Sequence, residues 1–277
     1  MNSIKKCIIC NSDSKYFLSK KYSEPPFDEF MREIGEVCYY KCKSCGFVLS
    51  ETHSELDKKL WVNLNYLVHN YLENLQNQQM GNQPPYVDQA IMLLILGENG
   101  IINTNNMLDY AAGYGTLSKI LSKYCNIKLP IFDQYVKEGD PNRYIHKDHL
   151  TKYKTVLNSA MFEHILNRDD LDNVNNMVNS DGCLIIHTVV CKNIPQDANW
   201  FYFRLPIHTA FQTNMSMEIL MNQWDYHSSI YCPKSKCWIL LKKEIENISK
   251  IIHSINQELQ TDYLYYKKGF VDYWKGF

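Results

Sequence analysis

Short apolar runs alternate with helical stretches along the last two thirds of the chain. The strand candidates are brief, bounded by turn residues and rich in β-branched and aromatic side chains, and they are residues 106–109, 129–132, 155–159, 183–190, 228–232 and 237–241. Helical periodicity predicts helices over 86–96, 117–124 and 243–259. This alternation predicts a mostly parallel sheet wrapped by helices, a doubly wound α/β domain.

The first fifth of the chain follows a different pattern, dominated by two C-x-x-C pairs. Cys7 and Cys10 form one pair, and Cys42 and Cys45 form the other. Each pair can chelate a metal through two thiolates, and together they supply the tetrahedral sulfur set that zinc prefers. The alternatives are two unrelated buried pairs, or Cys38 in place of one ligand. Because the protein would fill all four positions, we expect a structural zinc rather than a catalytic one.

These patterns predict four segments. They are a small zinc-ribbon module over 1–55, a helical linker over 56–104, the α/β domain over 105–243, and a helix with an aromatic tail over 244–277. The tail is expected to pack on its own domain or on a second subunit, and the second arrangement would make a homodimer.

Charge and hydropathy narrow the classes of function. Lys and Arg number 29 against 30 Asp and Glu, so no excess positive charge is available for nucleic acid or an anionic membrane. No apolar run approaches the roughly 20 residues of a membrane span, and the polar amino terminus does not resemble a signal peptide. We therefore expect a cytoplasmic protein. Its ten cysteines should then be reduced, and serve metal ligation or packing.

The turn after the first predicted strand is built from an acidic residue and small residues at alternate positions. It contains Asp109, Ala111, Gly113, Tyr114 and Gly115. This string resembles the first motif of class I S-adenosylmethionine-dependent methyltransferases, although an alanine replaces the usual first glycine. The resemblance implies that these five residues bind the amino-acid end of S-adenosylmethionine. The G-x-G-x-x-G spacing of nicotinamide-binding loops is not present.

Later residues extend the resemblance over 105–243. Asp133 ends the second predicted strand 24 residues after Asp109, where a carboxylate accepts hydrogen bonds from ribose hydroxyls. The family pattern further implies that Asp148 lies beside the adenine and that Ser159 ends a strand at the cofactor. Residues 155–165 resemble the fourth motif, and residues 179–190 resemble the fifth strand with its preceding turn.

Two histidines are candidates for work on the methyl acceptor. His208 follows an aromatic-rich loop after the fifth predicted strand, and a histidine is well suited to accept a proton from a hydroxyl or a carbon acid. His164 is the second candidate. The alternatives are that loop carbonyls satisfy His208 and that His164 only packs. Trp200, Tyr202 and Arg204 could stack on a sugar or pair with a phosphate, although such residues often simply pack.

Paired cysteines ahead of this domain resemble enzymes that methylate nucleotide-linked sugars at carbon, which continue into a further carboxy-terminal region. The leading expectation is therefore O-methylation of a sugar, a sugar nucleotide or a surface-polysaccharide precursor. The alternatives are C-methylation of a nucleotide-linked sugar, a nicotinamide-dependent oxidoreductase, and an inactive methyltransferase fold that serves as a zinc-ribbon docking protein.

Overall fold

The computed structural model describes residues 5–73, 84–136 and 142–272. Its strands are β1 (Lys5–Lys6), β2 (Asp13–Lys20), β3 (Val37–Cys42), β4 (Val48–Ser50), β5 (Met107–Tyr110), β6 (Ile131–Phe132), β7 (Tyr153–Ser159), β8 (Val178–His187), β9 (Val190–Cys191), β10 (Ala210–Thr213), β11 (Ser228–Cys232), β12 (Cys237–Leu241) and β13 (Tyr265–Lys268). Its helices are α1 (Phe27–Phe30), α2 (Glu51–Ser54), α3 (Lys58–Glu73), α4 (Tyr86–Glu98), α5 (Thr116–Tyr124), α6 (Arg168–Asn176), α7 (Asn214–Gln223) and α8 (Ile248–Glu258).

The chain forms two compact units, each built from three segments. Unit 1 comprises Met1–Gln83, Phe162–Asp170 and Val189–Ile219, and unit 2 comprises Pro84–Met161, Leu171–Thr188 and Leu220–Phe277. This division differs from the four consecutive segments expected from the sequence. The physical reason is that β10 pairs with β4 and β9 pairs with β10, so both strands extend the sheet of the amino-terminal segment.

Unit 2 is the doubly wound α/β domain that the sequence predicts. Its seven strands lie in the order β13-β11-β12-β8-β7-β5-β6. The strands β6, β5, β7 and β8 are parallel, whereas β12 is antiparallel to both β8 and β11. The predicted strand bounds 228–232 and 237–241 are confirmed by β11 and β12. Turn residues delimit this hairpin, which is why the sequence pattern predicts its bounds.

Both faces of this sheet are covered. One face packs with α4, α5 and α8 in a single apolar cluster, which includes Leu93, Leu121, Ile185, Ile239 and Ile252. The central strands also bury the side chains that point to the other face. These side chains are fully buried and lie outside that cluster, and they are Leu108, Val156, Leu184 and Ile186. Strands buried on both faces are typical of a parallel sheet between two helical layers.

Unit 1 contains a second, six-stranded sheet in the order β1-β2-β3-β4-β10-β9. Its core is aromatic: the rings of Tyr39, Phe203 and Phe211 contact one another, with centroids 4.3–5.6 Å apart. Trp61, Leu64 and Val68 of α3 join the same cluster at helical spacing. The late segment thereby completes a core that the amino-terminal residues alone are too few to build.

The described part of the aromatic tail packs within unit 2. Phe270 stacks on Trp238 at 5.7 Å, and the Trp238 indole donates to the carbonyl of Val271 at 2.8 Å. The tail residues 273–277 lie outside the described part of the chain, as do residues 74–83 of the expected linker. Among the described helices, none is both long enough and apolar enough to cross a membrane.

Candidate functional site

The parallel sheet of unit 2 changes direction between β5 and β7. From β5 the chain passes to β6 on one side, and it then crosses to β7 and β8 on the other. Ligands of open α/β sheets bind outside the carboxyl ends of the strands at such a switch point. The turn that contains Asp109–Gly115 leaves β5 at this edge, and Ser159 ends β7 beside it. The topology thus brings the predicted glycine turn and Ser159 to one edge of the sheet.

The turn has a backbone that only small residues tolerate well. Ala111, Gly113 and Gly115 all have positive φ, at 60°, 53° and 69°. A Cβ added at Gly113 would meet no protein atom within 4 Å, whereas one added at Gly115 would lie 2.6 Å from the Ile131 side chain. A side chain at Gly115 would require the end of the Ile131 side chain to move, whereas Gly113 borders open space. Ala111 holds a left-handed conformation that costs an L-residue about 1–2 kcal/mol.

Asp133 fixes the shape of this turn. One oxygen of its carboxylate accepts the Gly113 N–H at 2.8 Å, and the other accepts the N–H groups of Tyr135 and Val136, also at 2.8 Å. The Tyr144 hydroxyl donates to the Gly113 carbonyl at 2.7 Å. Charge-assisted bonds of this kind are worth roughly 1.5–3 kcal/mol each. Asp133 therefore organises the turn, in addition to its predicted contact with ribose.

Asp109 is the least satisfied polar group of the turn. It is 2 % exposed, and among the described residues its Oδ1 has no hydrogen-bond partner. Burial, together with the nearby charge of Asp133, holds the pKa of the Asp109 carboxyl well above its usual range. A buried carboxyl oxygen without a partner is costly. It is suited to a ligand that brings a hydrogen-bond donor or a positive charge.

The neighbouring strands present more polar groups at the same edge. The Ser159 hydroxyl exchanges hydrogen bonds with the Gln89 amide of α4 at 2.9 and 3.1 Å. Asn158 donates to the Tyr110 carbonyl at 2.9 Å, while its Oδ1 has no partner among the described residues. His187, opposite Ser159 on β8, is buried, and burial lowers its pKa to about 4. The polar edge thus spans three adjacent strands.

Asp148, predicted beside the adenine, has a different environment. It lies on an exposed 3-10 turn, Lys147–His149, and its carboxylate is 3.2 Å from Nδ1 of His146. Among the described residues, neither the ion pair nor the hydrogen bond of Asp148 reaches the glycine turn, since both are made with His146. Its contact with a cofactor stays a prediction.

The four predicted zinc ligands converge in unit 1. Their Sγ atoms all lie within 4.8 Å of one another, with Cys7 and Cys45 3.7 Å apart and Cys10 and Cys42 3.4 Å apart. Tetrahedral zinc with bonds of 2.3 Å places sulfurs about 3.8 Å apart, whereas a disulfide requires about 2 Å.

The backbone around these cysteines points donors at sulfur. The N–H of Ile9 lies 3.4 Å from the Cys7 Sγ, and the N–H groups of Ser44 and Cys45 lie 3.4 Å from the Cys42 Sγ. A hydrogen bond from Cys45 lowers the pKa of Cys7 to about 5. Amide donors of this kind stabilise thiolates, which are the form that binds metal. The cluster could hold one zinc ion.

Cys38 and His53 lie close to the second cysteine pair in the sequence. Cys38, the alternative ligand, lies outside the cluster and contacts the Ser19 hydroxyl at 3.4 Å. Its polar sequence neighbours predict a surface position for His53, and that prediction is wrong. The His53 ring is fully buried against Trp61, and its Nδ1 is 2.7 Å from the Ser50 hydroxyl, which caps α2. The cap is local, whereas burial of the ring depends on tertiary packing, which the sequence pattern alone does not reveal.

His208 and His164, the two candidate catalytic residues, are neighbours in unit 1. Their ring centroids are 5.1 Å apart, and each Nδ1 faces a backbone carbonyl. The distance is 2.7 Å from His208 to Tyr202, and 2.9 Å from His164 to Ile207. Burial lowers the pKa of His164 to about 4 and the pKa of His208 well below its usual value. Both rings are therefore neutral at neutral pH, and the predicted role of either as a general base stays a prediction.

Some side chains of the aromatic loop before His208 are buried in unit 1, and others are exposed. Tyr202 is buried, with its ring centroid 4.5 Å from that of His208, and Trp200 packs against Tyr202, Phe203 and Phe211. Arg204 is exposed and lines a cavity of about 410 Å³ together with Lys20, Lys21, Tyr22 and Phe201. The sequence singled out Arg204 for phosphate binding, and the fold surrounds it with two further cations.

No protein-family model matches the sequence, and no curated protein matches it significantly. Solved structures with a similar shape include the plantazolicin methyltransferase BpumL in complex with SAH, at 12% identity and a TM-score of 0.43, with 75% of this chain and 94% of that chain covered. A second is CalO1, a methyltransferase in calicheamicin biosynthesis, at 14% identity and a TM-score of 0.38, with 55% and 52% covered. Likeness at this level does not bear on what this chain binds or which reaction it performs.

Proposed function

We propose that the chain is an S-adenosylmethionine-dependent methyltransferase. The observation that carries the proposal is the turn at the switch point, where Gly113 borders open space and Asp109 keeps a buried oxygen without a partner among the described residues. S-adenosylmethionine supplies a methyl group on a positively charged sulfonium, so the protein needs mainly to bind and align the two reactants.

The charge of the turn favours this cofactor over a nicotinamide dinucleotide. Asp109 lies in the turn, Asp133 follows β6 and accepts the Gly113 N–H, and the two carboxyls interact electrostatically. A ligand with a sulfonium and an ammonium group would be attracted to this acidic pair and would favour the ionised form of Asp109, whereas a pyrophosphate would be repelled by the pair. The resident groups therefore fit the cofactor that the sequence motif implies, and Gly113, Asp133, Ser159 and Asp109 are the residues proposed to hold it.

The proposed acceptor is a sugar, a sugar nucleotide or a polysaccharide precursor that is methylated at oxygen. Support for an acceptor that carries phosphate is the 410 Å³ cavity of unit 1, lined by Lys20, Lys21 and Arg204, by Glu24, and by the rings of Tyr22 and Phe201. Cations that surround a cavity with aromatic walls suit a phosphate attached to a ring-shaped group. Arg204→Gln should therefore weaken a nucleotide-linked acceptor more than the corresponding free sugar.

The Cys7, Cys10, Cys42 and Cys45 cluster is proposed to hold a structural zinc. Four protein thiolates leave no open coordination position, so this metal would stabilise unit 1 and not take part in methyl transfer.

Binding of S-adenosylhomocysteine tests the proposal, and a pair of glycine variants makes the test specific. Gly113→Ala and Gly100→Ala both place a side chain at positive φ, 53° and 67°, and neither new Cβ meets a protein atom within 4 Å. Both should lower stability by about 1–2 kcal/mol. Only Gly113→Ala should abolish binding, because Gly100 precedes β5 at the opposite end of that strand from the turn.

The readout is a ligand-induced shift in melting temperature, measured with S-adenosylhomocysteine and separately with nicotinamide dinucleotide. Ligand at 100 times its Kd should stabilise the wild type by about 2.7 kcal/mol. A shift with the dinucleotide alone would favour the oxidoreductase, and a shift with neither would favour the inactive docking fold. Equal binding by the two glycine variants would place the cofactor elsewhere.

A further inference from the structure

We propose that Glu163, His164 and His208 form a second metal site, which binds a divalent transition metal of the zinc class. One ligand atom from each of these residues lies within 4.8 Å of the ligand atoms of the other two. The site is separate from the cysteine cluster, and neither the motif resemblance nor the proposed zinc module assigns it.

The backbone places these three side chains together and holds them there. Glu163 and His164 lie in the turn after β7, and His208 immediately precedes β10. The Glu163 carbonyl accepts the N–H groups of Thr209 and Ala210 at 2.7 and 3.1 Å. His164 in turn reaches the Ile207 carbonyl, so the two chain segments are joined from both directions. A ligand set fixed in this way loses little conformational entropy when a metal binds.

Hydrogen bonding leaves each imidazole with a lone pair for a metal. A backbone carbonyl can only accept, so the Nδ1 of His164 and the Nδ1 of His208 must each carry the proton that faces it. The lone pair of each neutral ring is then on Nε2. Histidines that bind metals characteristically donate their other N–H to a carbonyl or carboxylate, which fixes the ring orientation. Both rings already have this outer-shell partner.

The donor set indicates the kind of metal. Two imidazoles and a carboxylate suit zinc and related first-row ions, and a site with three protein ligands keeps a position open for water or substrate. Tetrahedral coordination at about 2.1 Å requires ligand atoms roughly 3.4 Å apart. The ligand atoms lie within 4.8 Å of one another, so small side-chain rotations bring them to this spacing. The ring centroid of His69 is 5.7 Å from that of His164.

Two of the three proposed metal ligands are buried. Glu163 is 3 % exposed and His208 is 5 % exposed. A metal ion held by these residues would be shielded from water, where its attraction to the Glu163 carboxylate is stronger than at an exposed site. This inference does not depend on methyl transfer, because metal binding is measured without cofactor or acceptor.

The test is a titration of the metal-free full-length chain with Co²⁺. Thiolate-bound cobalt gives an intense charge-transfer band in the near ultraviolet, whereas cobalt bound by imidazole and carboxylate gives only weak visible bands. We expect the wild type to bind two equivalents, one with and one without the thiolate band. A wild type that binds one equivalent, with the thiolate band alone, overturns the proposal, and this measurement requires no variant to fold.

Two double variants assign the sites. Cys42→Ser with Cys45→Ser should lose only the equivalent with the thiolate band, and Glu163→Gln with His208→Gln should lose only the other. His53→Gln, a change to a buried imidazole of the same unit outside the cluster, should retain both. Retention of two equivalents by the Glu163 and His208 variant overturns the proposal, as would loss of the second equivalent in the His53 variant.

Discussion

Replacing aspartate with asparagine should change the free energy of unfolding in opposite directions at Asp109 and at Asp133. Asp109→Asn removes a buried carboxyl whose Oδ1 has no partner among the described residues and whose pKa burial raises well above its usual range, so we expect it to stabilise the unliganded protein at neutral pH. The amide has no proton to lose in the unfolded chain, and leaving a buried polar group unsatisfied costs about 1–3 kcal/mol. Asp133→Asn replaces one accepting oxygen with an amide that cannot accept from Gly113, Tyr135 or Val136. It should destabilise the protein by about 1.5–3 kcal/mol.

The pH dependence follows from the raised pKa of Asp109. A carboxyl whose pKa is higher in the folded than in the unfolded chain binds more protons when folded. Its contribution to stability is therefore largest below the unfolded pKa of about 3.9, and it falls as pH rises from there toward the folded pKa. Asp109→Asn should remove this decline, so its advantage over the wild type should grow between about pH 4 and pH 7.

Calorimetry without ligand measures both effects. One kcal/mol corresponds to about 2–4 °C in the melting temperature of a domain of 150–250 residues. Both variants replace a carboxyl with an amide, and the two carboxyls interact electrostatically, so a general effect of this replacement would shift both temperatures in the same direction. Shifts of equal sign, or a lower melting temperature for Asp109→Asn at pH 7, would refute the reasoning. Stabilisation by Asp109→Asn should come with weaker binding of S-adenosylhomocysteine, because strained polar groups at a binding site are offset by the ligand.

Three further predictions concern single features. Ala111→Gly should raise the free energy of unfolding by up to about 1 kcal/mol in urea titrations, because glycine adopts φ 60° without strain, although its greater unfolded-state entropy reduces the gain. Cys42→Ser with Cys45→Ser should abolish zinc retention in the cysteine cluster and lower the melting temperature of unit 1, and an unchanged temperature would contradict a structural role. In the metal-free protein, where Nε2 of His208 can accept a proton, His208→Ala should lower methyl-transfer turnover by about 100- to 10,000-fold without changing the affinity for S-adenosylhomocysteine. More than about a tenth of wild-type turnover would leave alignment as the main source of catalysis.

The sequence by itself determined the elements whose signals are local. Apolar runs and turn residues predicted the β11–β12 hairpin, and alternation of strands with helices predicted the doubly wound sheet. The spacing within each cysteine pair predicted chelation, and small residues after β5 marked the turn with positive φ. Each of these signals depends on neighbours within a few residues, so a pattern along the chain can carry it.

Only the tertiary structure decided which distant segments meet. Strands β9 and β10 are short, and pairing of β10 with β4 and of β9 with β10 places them in unit 1. Hydrogen bonds from Thr209 and Ala210 to the Glu163 carbonyl bring His208 beside Glu163 and His164, whose positions in the sequence carry no metal-binding spacing. The orphaned oxygen of Asp109 and the bond from Gly113 to Asp133 depend on the same kind of long-range closure. Burial and hydrogen-bond satisfaction are properties of the packed chain, and for that reason the local pattern could not reveal them.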